Sequence, residues 1–334
     1  MTALAVGAAV CVCPVTGAVA PVTAAARTAT LGPMAEQRLT VPTGGGRTLE
    51  VLDFGPAGGL PLVFHTGTPG GLVAYGPMAD VVASHGLRLV MYARPGYGAS
   101  DPQPGRVIAD AAADVAAILD HLGAGPFVTV GWSGGGPHAL ACAALLPGRC
   151  LAAATMAGVA PYDSPGLDWL AGMGQDNIDE FGAAVAGEAA VTGMLGDAAG
   201  ALAGVSGAQV IEEMSGLLSG PDKAALANGF GEHLAESLRT AVGGGIAGWR
   251  DDDLAFVRDW GFAVDGLAGS GVPVGVWQGG QDLMVPGTHG AWLSAHLPAA
   301  RTHLLPDEGH LTLAVTVFSD IVAELLELAG VQPG

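Results

Sequence analysis

A serine between closely spaced glycines constrains this chain more than any other feature of its sequence. Residues 131–135 read Gly-Trp-Ser-Gly-Gly, which places Ser133 at the centre of a Gly-x-Ser-x-Gly motif. The apolar run 126–130 before it predicts a strand, and residues 137–146 after it are typical of a helix. On such a sharp strand-to-helix turn the serine points out of the sheet, and the glycines prevent clashes where the backbone crowds. The pattern therefore predicts an exposed nucleophile at Ser133.

Candidate partners for this serine follow two later strands. Residues 272–277 predict a buried strand, and Asp282 lies on the loop after it; the short strand 302–305 leads to a loop that carries His310. A serine needs a base in order to attack a carbonyl, and an acid fixes the tautomer of that base. We therefore expect His310 to be the base and Asp282 its acid, while Asp163, Asp307 and Glu308 remain alternatives for the acid.

The chain order Ser, Asp, His is typical of α/β-hydrolases. The sequence resembles that superfamily over roughly residues 35–330. After the strand 62–64, residues 65–70 (His-Thr-Gly-Thr-Pro-Gly) resemble the family's His-Gly-x-Pro-Gly loop, with Thr66 as an extra residue. The resemblance implies an oxyanion hole formed by the backbone N–H groups of Thr68 and Gly134. Residues 92–101 resemble a second family loop, in which Arg94 is expected to be a structural brace.

The alternation of strands and helices predicts an α/β fold with a mostly parallel, eight-stranded sheet flanked by helices. The sheet begins with an antiparallel pair, 38–41 and 49–52, and its clearest helix is predicted over 107–122. Residues 161–266 show helical periodicity and no convincing strand, which predicts an inserted helical cap. The expected domains are a core formed by 34–160 and 267–334 and a cap formed by 161–266.

Two features near the motif and in the cap have open interpretations. Trp132, the variable residue of the motif, is expected either to line the substrate pocket or to anchor the core. The run 250–253 (Arg-Asp-Asp-Asp) favours a solvated surface or a helix N-terminus.

Charge and cysteine content limit the partners. The formal net charge is −19 and Lys223 is the only lysine, so nucleic acid and anionic membranes are not expected partners. Four scattered cysteines give no disulfide framework, and no ligand spacing indicates a metal. We therefore expect a small-molecule substrate, no cofactor and no metal; the oligomeric state stays open.

The N-terminal segment 1–33 lacks the basic start of a signal peptide. Its apolar stretch is interrupted by Pro14 and Pro21, so it is too short to span a membrane. We expect a disordered tail, or an over-long start with Met34 as the true initiator. A cytoplasmic location follows, with secretion as the alternative.

Within the superfamily, the resemblance points to a capped serine hydrolase of the esterase and proline iminopeptidase-like branch. Relatives that attack with aspartate are excluded by Ser133, and proline iminopeptidases usually have the tryptophan after the serine, whereas Trp132 precedes it. The expected reaction is cleavage of an ester, or of a thioester, lactone or amide, through an acyl-enzyme. The alternatives are a proline iminopeptidase-like peptidase and a non-catalytic relative that binds a small molecule.

Overall fold

A single sheet organises the residues that the computed structural model describes, 36–297 and 299–332, the side chain of Asn228 excepted. Its strands are β1 Gln37–Pro42, β2 Thr48–Phe54, β3 Pro61–His65, β4 Arg88–Tyr92, β5 Phe127–Trp132, β6 Cys150–Met156, β7 Val274–Gly279 and β8 Arg301–Leu305. They lie in the order β1-β2-β4-β3-β5-β6-β7-β8. Only β2 runs antiparallel to its neighbours, and the other pairs are parallel.

Helices cover both faces of this sheet, which confirms the predicted α/β class. One face packs against α1 (Gly76–Ser84) and α11 (Phe318–Leu328). The other packs against α2 (Asp110–His121), α3 (Gly136–Leu145) and α10 (Gly287–His296). Every residue of β3 and β4 is buried, because strands covered on both faces lose the alternation of polar and apolar residues.

Six further helices connect β6 to β7, and residues 157–273 contain no strand. All six lie inside the predicted cap range 161–266. They are α4 Gln175–Ala186, α5 Glu188–Leu202, α6 Gly207–Glu213, α7 Gly220–Ala225, α8 Gly231–Val242 and α9 Ala247–Phe256. We call this segment the inserted helices.

The predicted N-terminal tail, 1–33, lies outside the described residues. Among the helices that the structure does describe, none is long and apolar enough to cross a bilayer.

Candidate active site

Four of the predicted site residues follow strands that end at the same edge of the sheet. Ser133 follows β5 directly, Asp282 follows β7, and His310 follows β8. Thr68 follows β3, which is the parallel neighbour of β5. Loops at the carboxyl ends of parallel strands meet there, so residues far apart in sequence come together.

The turn at Ser133 has the strained geometry that the motif predicts. Ser133 has a φ of 56°, in the left-handed region that side chains other than glycine rarely adopt. A Cβ atom at Gly131 would overlap the carbonyl oxygen of Gly135, and one at Gly135 would overlap that of His65. The glycines are therefore required by close backbone contacts, and the backbone strain is localised at Ser133.

His310 and Asp282 form a buried pair. The Nδ1 atom of His310 lies 2.8 Å from Oδ2 of Asp282, and both side chains are almost fully buried. The other oxygen, Oδ1, accepts the backbone N–H groups of Met284 and Val285, both at 2.8 Å. An acceptor fixed in this way holds the proton on Nδ1 of His310 and leaves Nε2 free to take a proton.

Burial lowers the pKa of His310, but the charge of Asp282, its hydrogen bond and the charge of Asp222 together outweigh burial. The net effect is a pKa raised above the ordinary value of histidine. An imidazolium formed in this place is therefore stabilised.

The structure brings none of the alternative acids into hydrogen-bonding contact with His310. Asp163 and Asp307 are exposed, and Asp163 lines a separate open groove. The Oε2 atom of Glu308 instead accepts the hydroxyl of Thr316 at 3.1 Å. Of the four candidates, Asp282 alone is placed to orient the imidazole.

The loop after β3 packs directly against the serine turn. A Cβ atom at Gly67 would lie 3.4 Å from Cβ of Ser133, and one at Gly134 would lie 2.5 Å from Oγ1 of Thr68. Thr68 and Gly134, the two residues predicted to supply oxyanion donors, therefore lie side by side next to Ser133.

A buried ion cluster holds this loop, and it corrects one expectation. Asp251, Asp252 and Asp253 lie on α9 and are 3%, 0% and 0% exposed, so the prediction of a solvated surface for residues 250–253 was wrong for all three carboxylates. Asp252 forms ion pairs with Arg94 at 2.6 Å and with Arg106 at 2.7 Å. Two buried guanidinium groups supply the opposite charge that a buried carboxylate needs.

Arg94 is the brace that the sequence predicted, and it connects the cluster to the loop. Its guanidinium donates to the carbonyl oxygens of Thr66 at 2.7 Å and Gly67 at 2.9 Å, and to Oγ1 of Thr68 at 2.9 Å. The hydroxyl of Thr68 in turn donates to Asp252 at 2.9 Å. The inserted helices therefore fix the loop through Asp252.

Asp252→Ala is expected to reduce the free energy of unfolding by about 3–5 kcal/mol, because it leaves Arg94 and Arg106 as unpaired buried charges. Urea denaturation measures the change. Asp265→Ala, at an exposed aspartate beyond α9, is the matched control and should shift stability by less than about 0.5 kcal/mol. Equal stability of the two variants would show that the cluster does not stabilise the fold.

Another buried aspartate, Asp222 on α7, contacts the loop that carries His310, and the sequence analysis did not single it out. Its carboxylate accepts backbone N–H groups of His310 and of the next two residues. Ser219, three residues earlier, caps α7 and donates to the same carboxylate. That Ser-x-x-Asp spacing signals a helix start, but it carries no information on the distant loop.

Two cavities meet at Ser133 and Thr68. The smaller, about 100 Å³, also contains His310 and Trp132 and is otherwise mainly apolar, with walls that include Phe64, Met91, Phe230 and Phe318. The larger, about 350 Å³, lies under the inserted helices and is lined in part by Asp176, Glu180, Glu213 and Trp249.

Trp132 is half-buried and lies at the edge of the core, next to the candidate base. It lines the smaller cavity, and its indole N–H donates to the backbone oxygen of His310 at 3.4 Å. Its ring lies 5.6 Å from the imidazole of His310, centroid to centroid. It therefore forms part of the cavity wall and also packs against the candidate base.

Two other histidines support the turn from below. His138 is buried, its pKa is lowered to about 3 by burial, and its Nδ1 donates to the carbonyl oxygen of Gly134 at 2.9 Å. His65 lies against Tyr92 and His138, and burial lowers its pKa too. Both are uncharged and stay out of the cavities. Among the described residues, no three His, Cys, Asp or Glu side chains are grouped to hold a metal ion.

Comparisons with known proteins agree with this architecture. A family model described as alpha/beta hydrolase fold matches residues 61–315. The non-heme chloroperoxidase of Streptomyces lividans is 36% identical over 149 residues, which are 44% of this chain and 54% of that protein. The chain thus matches about half the length of this relative.

Solved structures of an esterase and of a bromoperoxidase are similar in fold. A thermophilic esterase from Thermogutta terrifontis has a TM-score of 0.64 and 21% identity, covering 88% of this chain and 99% of that one. A bromoperoxidase from Bacillus anthracis has a TM-score of 0.67 and 19% identity, covering 87% of this chain and 100% of that one. Since the family model matches most of the chain, the protein belongs to the α/β-hydrolase fold family.

Proposed function

We propose that this protein is a serine hydrolase that cleaves a small-molecule ester through an acyl-enzyme on Ser133. The observation that carries the proposal is the buried hydrogen bond between His310 and Asp282, which is 2.8 Å long. His310 also lines the same cavity as Ser133. The likeness to an esterase supports the fold that this chemistry needs.

The proposed reaction has two halves. Nε2 of His310 takes the proton of Ser133 as Oγ bonds to the ester carbon, and the carbonyl electrons move to oxygen. The N–H groups of Thr68 and Gly134 stabilise that oxyanion, at about 3 kcal/mol per donor. The oxyanion then collapses, and the alkoxide leaves with the proton from His310. Water repeats the sequence on the acyl-enzyme and releases the acid.

The cavities indicate the kind of substrate. The smaller cavity is lined mainly by apolar side chains, which suits an alkyl or aryl group of the ester. The larger cavity holds the other part of the ester. Hydrolysis of p-nitrophenyl acetate, butyrate and decanoate tests the proposal; no turnover of any of them above the Ser133→Ala background would contradict it.

One observation favours a second candidate, a peptidase similar to the proline iminopeptidases. The described lining of the larger cavity includes three carboxylates and no basic residue, which suits the amino group of a peptide. Glu180 accepts the indole N–H of Trp249 at 2.7 Å. Burial and the charge of Glu180 raise the pKa of the neighbouring Asp253. A higher kcat/KM for prolyl-p-nitroanilide than for p-nitrophenyl butyrate would favour this candidate over the ester.

A non-catalytic binding protein is the third alternative. It would give neither ester nor anilide turnover, and Ser133 would not react with a fluorophosphonate.

The pH dependence of kcat/KM follows from the raised pKa of His310. The base must be neutral to accept the proton of Ser133, so activity is lost as the pH falls through this pKa. Because the pKa is raised, we expect the acid limb above the ordinary histidine value of about 6.5. A pH–rate profile measures it, and an acid limb well below that value would mean that Asp282 does not act on His310 as proposed.

A further inference from the structure

Asp222 lies in the inserted helices, yet it binds the loop of the candidate base. Its side chain is completely buried. Oδ1 accepts the N–H of Leu311 at 2.7 Å and that of Thr312 at 3.2 Å, and Oδ2 accepts the N–H of His310 at 3.1 Å. The hydroxyl of Ser219 also donates to Oδ2, at 2.7 Å.

These three amides directly precede the helical stretch Leu313–Val317 that continues into α11. The first amides of a helix lack partners within it, and a carboxylate at this end also interacts favourably with the helix dipole. Here the acceptor comes from a segment about 90 residues earlier in the chain. Gly309 allows this approach, because a Cβ atom there would overlap the carboxylate of Asp222.

His310 is therefore held at two points. Asp282 binds its ring, and Asp222 binds its backbone. A loop fixed only at the ring could still shift, and a displacement of about 1 Å at a catalytic group can cost about 100-fold in rate.

We propose that Asp222 is a positioning residue: from the inserted helices it fixes the backbone of His310, and its charge favours the imidazolium that forms during the reaction. The inference rests on the proposed function of His310 as the base. It makes the inserted helices part of the catalytic unit as well as part of the pocket wall.

Two carboxylates, those of Asp282 and Asp222, supply the negative charge around His310. Asp282 faces it from the loop after β7, Asp222 from α7, and Ser133 and Trp132 from the turn after β5. From α8, His233 lines the same cavity, and burial lowers its pKa to about 4, so it is uncharged at neutral pH. The described lining of this cavity contains no lysine or arginine.

The test measures how fast a fluorophosphonate labels Ser133, at about pH 5.5 and about pH 8, on either side of the ordinary histidine pKa. In this reaction the Ser133 oxygen bonds to phosphorus, fluoride leaves, and His310 takes the proton, so the rate reports the base. Asp222→Asn removes the charge, whereas Asp222→Glu keeps the charge and moves it by one methylene. Asp197→Asn removes an exposed charge from α5 and is the matched control.

We expect labelling of the Asp222→Asn variant at about pH 8 to be about tenfold slower or more. The ratio of its rate at about pH 5.5 to its rate at about pH 8 should rise about threefold, because without the Asp222 charge the base stays neutral to lower pH. Labelling of the Asp222→Glu variant should be slower than that of the parent, with an unchanged ratio of the rates at the two pH values. Asp197→Asn should match the parent in both the rate and the ratio. A purely structural role would slow labelling without changing the ratio in the Asn variant.

Parental rates and ratios in both Asp222 variants would overturn the inference while leaving the proposed function intact. No labelling of the parent protein would instead contradict the proposed function. Circular dichroism checks folding, and if the Asn variant does not fold, the Glu variant decides: a parental rate in it overturns the inference.

Discussion

Ser133→Ala and His310→Ala are each expected to lower p-nitrophenyl butyrate hydrolysis by about 10⁴-fold or more, with the fold intact. In the proposed mechanism no acyl-enzyme forms without Ser133, and without His310 the serine has no base. Because the two act as one unit, the double variant should lose no more than either single variant.

The controls are Ser294→Ala on α10 and His121→Ala at the end of α2, neither of which lines a cavity at Ser133. Both should keep activity within about twofold, as expected for substitutions away from the site. A Ser133→Ala variant that turns over at the parental rate, after mass spectrometry has confirmed the substitution, would move the nucleophile elsewhere.

Asp282→Asn is expected to lower kcat by about 10⁴-fold. The two backbone N–H groups of Met284 and Val285 that now bind Oδ1 should hold the amide oxygen of asparagine, so its NH₂ would face His310. An N–H donor that faces Nδ1 forces the imidazole proton onto Nε2. A protonated Nε2 cannot accept the proton of Ser133.

Asp163→Asn and Asp307→Asn, at exposed carboxylates, are the matched comparisons and should stay near the parental rate. Ranking the three variants by kcat/KM tests the assignment of the acid. A larger loss at Asp163 than at Asp282 would place the acid after β6 instead of β7.

The sheet and the candidate triad could be predicted because their signals are local. An apolar strand followed by a small polar cluster marks a carboxyl-end loop wherever it occurs, and three such loops carry Ser133, Asp282 and His310. The helical nature of the insertion was predictable for the same reason, since periodicity is read within one segment.

Asp252 and Asp222, both from the inserted helices, show which contacts cannot be predicted from the sequence of one segment. The run at 250–253 has the composition of a surface, and the burial of Asp252 depends on its ion pairs with Arg94, 158 residues earlier, and with Arg106. Asp222 likewise looks like part of a helix start, while its partners are backbone amides of the His310 loop. Contacts between an insertion and the catalytic loops depend on how the helices pack, and a single sequence does not contain that geometry.

The chemical state of Ser133 tests the account most directly. The parent protein is incubated with diisopropyl fluorophosphate, and the adduct is located by peptide mass spectrometry. We expect one phosphoryl group per chain, on the peptide that contains Ser133, and none in the Ser133→Ala and His310→Ala variants under the same conditions. No adduct on the parent, or an unchanged adduct in Ser133→Ala, would contradict the assignment of Ser133 as a nucleophile activated by His310.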